Sequence, residues 1–284
     1  MLEVKNQKIP LAALFVCAMP EESQELLTEL SAHLAKISEN EKITTTEISS
    51  IVGKAFLLSP QKTTFSDTTS VADKNISTPL PYLVLTTGIG MVQAASALSV
   101  TLTQFLPQII ICVGSAGGLH PDTRVCDVVI GTEYINSRAD ATAFGYAPGQ
   151  IPGNPASLQV CKEIATAIQA TLSTVAKKIP EITIRSGQML SSDAFVTDKN
   201  VETTRQLFPN GLTADMESQA YAQVAKNFEN TPFVAVRGIS DLCGTPEDQS
   251  ISFHAELAEV ASRAAKIALQ IMLHFTQTQT QSEK

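Results

Sequence analysis

Residues 109–119 read IIICVGSAGGL: an unbroken apolar run, Ile109–Val113, that ends in Gly114-Ser115-Ala116-Gly117-Gly118. An apolar run without polar alternation describes a strand buried on both faces, as in parallel sheets covered by helices. The glycines predict a turn whose backbone amides can approach a polar ligand closely. Working outward, the same grammar recurs. Leu11–Met19 leads into a helix from Pro20, with Glu21 and Glu22 in its first turn. Tyr82–Thr87 leads through Gly88-Ile89-Gly90 into a helix over Met91–Leu106. Downstream, the spacing predicts strands at Asp127–Tyr134, Ile182–Leu190 and Phe233–Ile239, and helices at Pro155–Lys178, Glu217–Phe228 and Phe253–Phe275. Strands interleaved with helices predict an α/β fold: one domain, with a mixed, mostly parallel central sheet flanked by helices. The domain spans residues 11–275, after an N-terminal extension at 1–10. A Ser/Thr/Pro/Lys-rich flexible insertion is read at 59–81 and a polar tail at 276–284.

Composition narrows the function. Of 284 residues, 44% are apolar and 17% charged, enough for a large core. The net charge of −8 and the absence of a basic cluster exclude a nucleic-acid-binding face, and an aromatic content of 5% without tryptophan disfavours single-strand stacking. A small-molecule role is expected instead. The cysteines (Cys17, Cys112, Cys126, Cys161 and Cys243) form no Cys-x-x-Cys pair and fit neither a zinc site nor a disulfide framework, so they read as reduced thiols in a reducing, cytoplasmic compartment. Lys5 and Lys8 before Leu11–Met19 imitate a short signal peptide. Glu3 and the helix start straight after the run favour a buried first strand. No stretch reaches the roughly 18 apolar residues of a membrane span.

Several motifs weaken on inspection. Gly88-Ile89-Gly90-Met91-Val92-Gln93 lacks the third glycine and the ribose-binding acid of a dinucleotide fingerprint, so it reads as a tight turn. Ser115 has Val113, not glycine, two residues before it, which rules out a nucleophile elbow. His33, His120, His254 and His274 are scattered, with no metal-ligand spacing. The carboxylates carry more. Glu22 alone reads as a helix-dipole partner. Asp215 and Glu217 flank Met216 at a helix start, and Asp241 follows a buried strand that carries Arg237. A charge inside a buried strand needs a partner, and ligands bind at the carboxyl ends of such strands. Acids and an arginine on one rim suit glycosidic cleavage.

The runs CAMPEES (17–23), TGIGMVQAA (87–95), VGSAGGL (113–119), ADATAFGYAPGQIPG (139–153), SSDAFV (191–196), ADMES (214–218) and VRGISD (236–241) resemble, in order, those of 5′-methylthioadenosine/S-adenosylhomocysteine nucleosidases, members of the nucleoside phosphorylase superfamily. The resemblance implies a nucleoside phosphorylase-like fold and hydrolytic release of adenine from 5′-substituted adenosines, without cofactor or metal. It makes Asp241 the acid that protonates adenine N7 and Glu22 the base that activates water. Ser115 and Arg237 would help hold that water, Glu217 would bind the ribose hydroxyls, and Met216 would pack on the sugar. Phe195 would stack on adenine and the Val196 backbone would read its edge. Ala116, Gly117 and Ser240 belong to the same implied binding set, and Met19 and Phe253 to the lining of the 5′ pocket. Residues at the positions of Phe144 and Pro152 reach into a partner subunit, so a homodimer is implied.

Within the superfamily, phosphorylases of similar pattern place an arginine where this chain has Cys112, and another where it has the acidic MPEES. Water is therefore the expected nucleophile. Ala141 stands where a larger aliphatic residue is usual, which predicts a roomier 5′ pocket and keeps open an aminodeoxyfutalosine hydrolase of menaquinone synthesis. A phosphorylase and a silent nucleoside-binding protein are the remaining alternatives.

Overall fold

The computed structural model describes residues 8–37, 43–48, 52–60, 80–178, 182–244 and 249–282. Most of the insertion read at 59–81 lies outside the described residues. In chain order the elements are β1 (Ile9–Leu11), β2 (Ala13–Cys17), α1 (Pro20–Ile37), β3 (Ile43–Ile48), β4 (Lys54–Pro60), β5 (Tyr82–Thr86), α2 (Met91–Gln104), β6 (Phe105–Pro107), β7 (Ile110–Gly118) and β8 (Val128–Asn136). A 3₁₀ turn (Thr142–Phe144) follows, then β9 (Leu158–Gln159), α3 (Lys162–Lys178), β10 (Ile184–Ser191), α4 (Val201–Leu207), β11 (Gly211–Asp215), α5 (Ser218–Asn227), β12 (Phe233–Leu242) and α6 (Gln249–Ser282).

The main sheet runs β11-β10-β8-β12-β7-β2-β5-β4-β3, with β9 on the side of β8. β11–β10, β10–β8, β12–β7, β7–β2 and β2–β5 pair parallel, whereas β12 pairs antiparallel with β8 near the sheet's centre and β3, β4 and β9 join antiparallel. β11 also pairs antiparallel with β7, at Thr213 with Gly118 and Ala214 with Gly117. Strands β7, β12, β8, β10 and β11 therefore close into a ring at one end of the sheet. β1 and β6 form a separate parallel pair.

Burial explains the unbroken apolar runs. Phe15, Ile111 and Val113 face one cluster, with α1, α3 and α6 residues such as Leu30, Ile168 and Ala268. Leu14, Val16, Ile110 and Cys112 face the opposite cluster, with Leu98 of α2 and Tyr221 of α5. Because successive strand side chains point to opposite faces, a strand covered on both must be apolar throughout. Leu11–Met19 accordingly yields β2, fully buried between β5 and β7. No helix among the described residues is long and apolar enough to cross a membrane.

Four expectations change. The glycine-rich stretch is no turn: β7 continues to Gly118, because both β12 and β11 pair with it there. Helix α3 starts at Lys162 rather than Pro155, since Leu158–Gln159 instead adds β9 to β8. Helix α2 stops at Gln104, and Phe105–Pro107 pairs with β1. The polar residues up to Ser282 continue α6.

Candidate active site

The ends of β2, β7, β10, β11 and β12 surround a cavity of about 410 Å³. Of the residues expected at the site, Met19, Glu22, Ser115, Ala116, Gly117, Phe195, Val196, Met216, Glu217, Arg237, Ser240 and Asp241 all line it. They come from segments spread over the whole chain, and the sheet brings them together.

Glu22 sits in the first turn of α1, directly after β2, and is buried. Its Oε2 accepts the Ala18 and Met19 amides at 3.0 and 3.1 Å, which anchors the turn. Its Oε1 accepts the Ser115 amide at 2.8 Å and the Ser115 hydroxyl at 3.0 Å. One oxygen thus holds the turn before α1 and the other holds Ser115. Gly114 makes this approach possible. A Cβ there would stand 2.6 Å from Glu22 Oε1 and 2.7 Å from Arg237 Nη1.

Arg237, fully buried in β12, finds the partners its burial demands. It donates from Nη2 to Glu217 Oε2 at 3.1 Å, from Nη1 to the Ser115 carbonyl at 3.2 Å and from Nε to the Ser218 hydroxyl at 3.1 Å. Asp215 Oδ1 lies 3.7 Å from Nη2 and accepts the Glu217 and Ser218 amides and the Ser191 hydroxyl. Asp215 thus holds the start of α5 and, through it, the backbone of Glu217. Glu217 Oε1 accepts the Gly90 amide at 3.0 Å. Glu22, Asp215 and Glu217 crowd around one guanidinium. Burial pushes the Glu217 carboxyl up to about 7, against the pull of Arg237 and with help from the Asp215 charge.

Asp241 stands at a break in the β12–β7 register. Ile239 pairs with Ala116 and Asp241 with Gly117, which leaves Ser240 as the extra residue. Such a bulge re-aims side chains, and here both Ser240 and Asp241 line the cavity. Burial raises the Asp241 carboxyl above its ordinary range, opposed by the Ser240 hydroxyl that donates to Oδ1 at 2.8 Å. Beside it, burial pushes the Cys243 thiol up to about 12 and keeps it protonated. Phe195 is half exposed at the mouth, and Val196 is packed inward.

Several placements differ from expectation. Ala141 does not line the cavity; it lines a neighbouring one, with Asp140, Ile151 and Pro152, that shares only Ala194 with the main site, so Ala141 gives no reason for a roomier 5′ pocket in this chain. Pro152 and Phe144, expected at a partner's site, lie outside this chain's own cavity, and Phe144 projects outward, 82% exposed. The Phe253 side chain lies outside the described residues. Cys112 is buried in the apolar cluster under α2 and α5 and does not line the site. What disfavours a phosphate dianion is the cavity itself: among its described lining residues Arg237 is the sole cation, already engaged by acids. Sequence reading noticed Asp215 without giving it a role, and missed Ala18, Ile89, Ala194, Ala214 and Cys243. Only Asp215 carried a signal, as the acid before Met216. The one metal-ligand grouping among the described residues, Cys126, Glu256 and Glu259, is outside the cavity.

A cavity at strand carboxyl ends, lined by acids around one arginine, belongs to a recognised class: the Phosphorylase superfamily model matches residues 13–275. Curated relatives are more specific. The 5′-methylthioadenosine/S-adenosylhomocysteine nucleosidase of Tolumonas auensis is 39% identical over 184 residues, 64% of this chain and 77% of that protein. The Marinomonas sp. nucleosidase of the same name is 36% identical over 192 residues, 67% and 80% of the two chains. Among solved structures, the Neisseria meningitidis nucleosidase in complex with methylthio-immucillin-A matches with TM-score 0.69 and 28% identity, over 91% of this chain and 97% of that one. The chain belongs to the 5′-methylthioadenosine/S-adenosylhomocysteine nucleosidase family.

Proposed function

We propose that the protein hydrolyses the N-glycosidic bond of methylthioadenosine and S-adenosylhomocysteine and releases adenine. The observation that carries this is one cavity holding a buried acid, Asp241, whose carboxyl burial raises above its ordinary range, and a second carboxylate, Glu22, fixed on the Ser115 hydroxyl. Asp241 donates its proton to adenine N7. The C1′–N9 bond breaks, the bonding electrons leave with the base, and the ribosyl centre takes on oxocarbenium character. Water, oriented by Glu22, Ser115 and Arg237, adds at C1′ and gives its proton to Glu22. Glu217 accepts hydrogen bonds from the ribose hydroxyls, with Met216 against the sugar. Phe195 stacks on adenine, the backbone of Val196 meets its edge, and Ala116, Gly117 and Ser240 complete the lining. Met19, with Phe253, lines the 5′ end.

The test is adenine release from methylthioadenosine in phosphate-free buffer. Full activity is expected without phosphate, and strict dependence on phosphate would overturn the hydrolytic reading. We also propose a homodimer of cytoplasmic chains in which Phe144 and Pro152 reach a partner's site. The exposed apolar side chains Ile89, Val92, Phe144 and Phe195 favour a covered face. Light scattering is expected to give twice the 30.3 kDa chain mass.

A further inference from the structure

The turn at the start of α2 touches two separated acids through successive amides. Gly90 N–H donates to Glu217 Oε1 at 3.0 Å, and Met91 N–H donates to Asp193 Oδ1 at 2.7 Å. Gly90, the residue before the helix, has no side chain to satisfy the free amides of the first turn, and its φ of 101° is a conformation open to glycine. The acceptors therefore come from elsewhere in the fold. Glu217 is supplied from the start of α5 and Asp193 from the loop that carries Phe195 and Val196. A Cβ at Gly90 would lie 3.1 Å from Asp193 Oδ1, so the turn fits its acid closely.

The loop is held unevenly. At one end the Ser192 amide donates to the Asp215 carbonyl at 3.1 Å. At the other, Val196 is buried beside Leu190 and Val201. Between them Phe195 is 52% exposed, and its carbonyl is held by Asn200 of the same loop. Among the described residues, the Asp193–Met91 bond is the one hydrogen bond that ties residues 193–195 to another element.

We propose that Asp193 is a positioning residue that clasps the base-binding loop to the start of α2, so that one turn, residues 88–91, sets the adenine and ribose subsites relative to each other. The subsite names rest on the nucleosidase reading, whereas the clasp rests on geometry. Without it the loop opens, and every ligand that touches Phe195 binds more weakly in proportion to the closed fraction.

The test uses Asp193→Ala and Asp193→Asn in the full chain. The side chain is exposed, and asparagine keeps an oxygen that can accept the Met91 amide. In the unliganded protein, hydrogen exchange of segment 192–197 is expected to quicken in Asp193→Ala and to return toward wild type in Asp193→Asn. Losing an acceptor at a helix start is equivalent to about a fivefold effect. The alanine variant should accordingly raise the Kd for adenine and the KM for methylthioadenosine by about that factor, with kcat within about twofold. Unchanged exchange in the alanine variant overturns the proposal. So does an asparagine variant as impaired as alanine, or a loss confined to kcat. Wild-type protein that releases no adenine would refute the nucleosidase reading instead, and the exchange contrast would then decide the clasp alone.

Discussion

Gly114→Ala tests the heart of the site with a single methyl group. Its Cβ would lie 2.6 Å from Glu22 Oε1 and 2.7 Å from Arg237 Nη1, with both groups buried. Carbon–oxygen contacts settle at about 3.3 Å or more, so the carboxylate must retreat by about 0.7 Å. The Ser115 amide and hydroxyl bonds, now 2.8 and 3.0 Å, would then stretch to the edge of hydrogen-bond reach. Arg237 cannot absorb the strain, because Glu217, Ser218 and the Ser115 carbonyl hold its other nitrogens or the same one. Loosening hydrogen bonds to a buried charge costs about 2–3 kcal/mol of stability. Displacing a catalytic carboxylate by nearly an ångström lowers kcat/KM by about 100-fold. Initial rates of adenine release from methylthioadenosine, beside a urea melt, measure both effects. A variant within about threefold of wild type, with an unchanged melting midpoint, would refute the reasoning about how Glu22 is held.

Asp241→Asn should lower kcat by about 100- to 10,000-fold, the range of a general acid, while adenine still binds within a few-fold of wild type in calorimetry. Retained turnover would remove Asp241 from the acid role. Glu217 gives a stability signature. Its carboxyl, ordinarily at 4.5 and pushed up to about 7 in the folded chain, keeps its proton only in the folded state within that window. Stability therefore falls as pH rises from 4.5 to 7, by on the order of 3 kcal/mol. In urea melts across that range, Glu217→Gln should flatten the slope, and an unaltered slope would assign it to other groups.

Legibility in the sequence followed locality. β2, β5, β7 and β12 were readable because strands covered on both faces must be apolar at every position, as Ile109–Val113 is. β3 and β9 were not, since short or polar edge strands such as Ile43–Ile48 take their conformation from a neighbour's hydrogen bonds. The same rule divides the site. Arg237 announced itself as a charge inside an apolar run, and Asp241 as the acid at that run's end. Glu22 stayed ambiguous because its cap role is local and its Ser115 bonds span most of a hundred residues of chain. Asp215 was visible only as an acid at a helix start, and the Ser240 bulge only exists against β7. Ala141 could be misread because its cavity depends on Pro152 and Asp193, neither adjacent in sequence.

The ring of β7, β12, β8, β10 and β11 also fixes an order of assembly. β12, the last strand among the described residues, lies between β7 and β8, which precede it by about a hundred residues. During synthesis those two strands must wait for Phe233–Leu242 before their facing edges are satisfied. Glu22 near the start and Asp241 near the end meet only at that step. A growing chain thus has no partial hydrolase to offer, and catalytic competence arrives together with the closing of long, entropically costly loops.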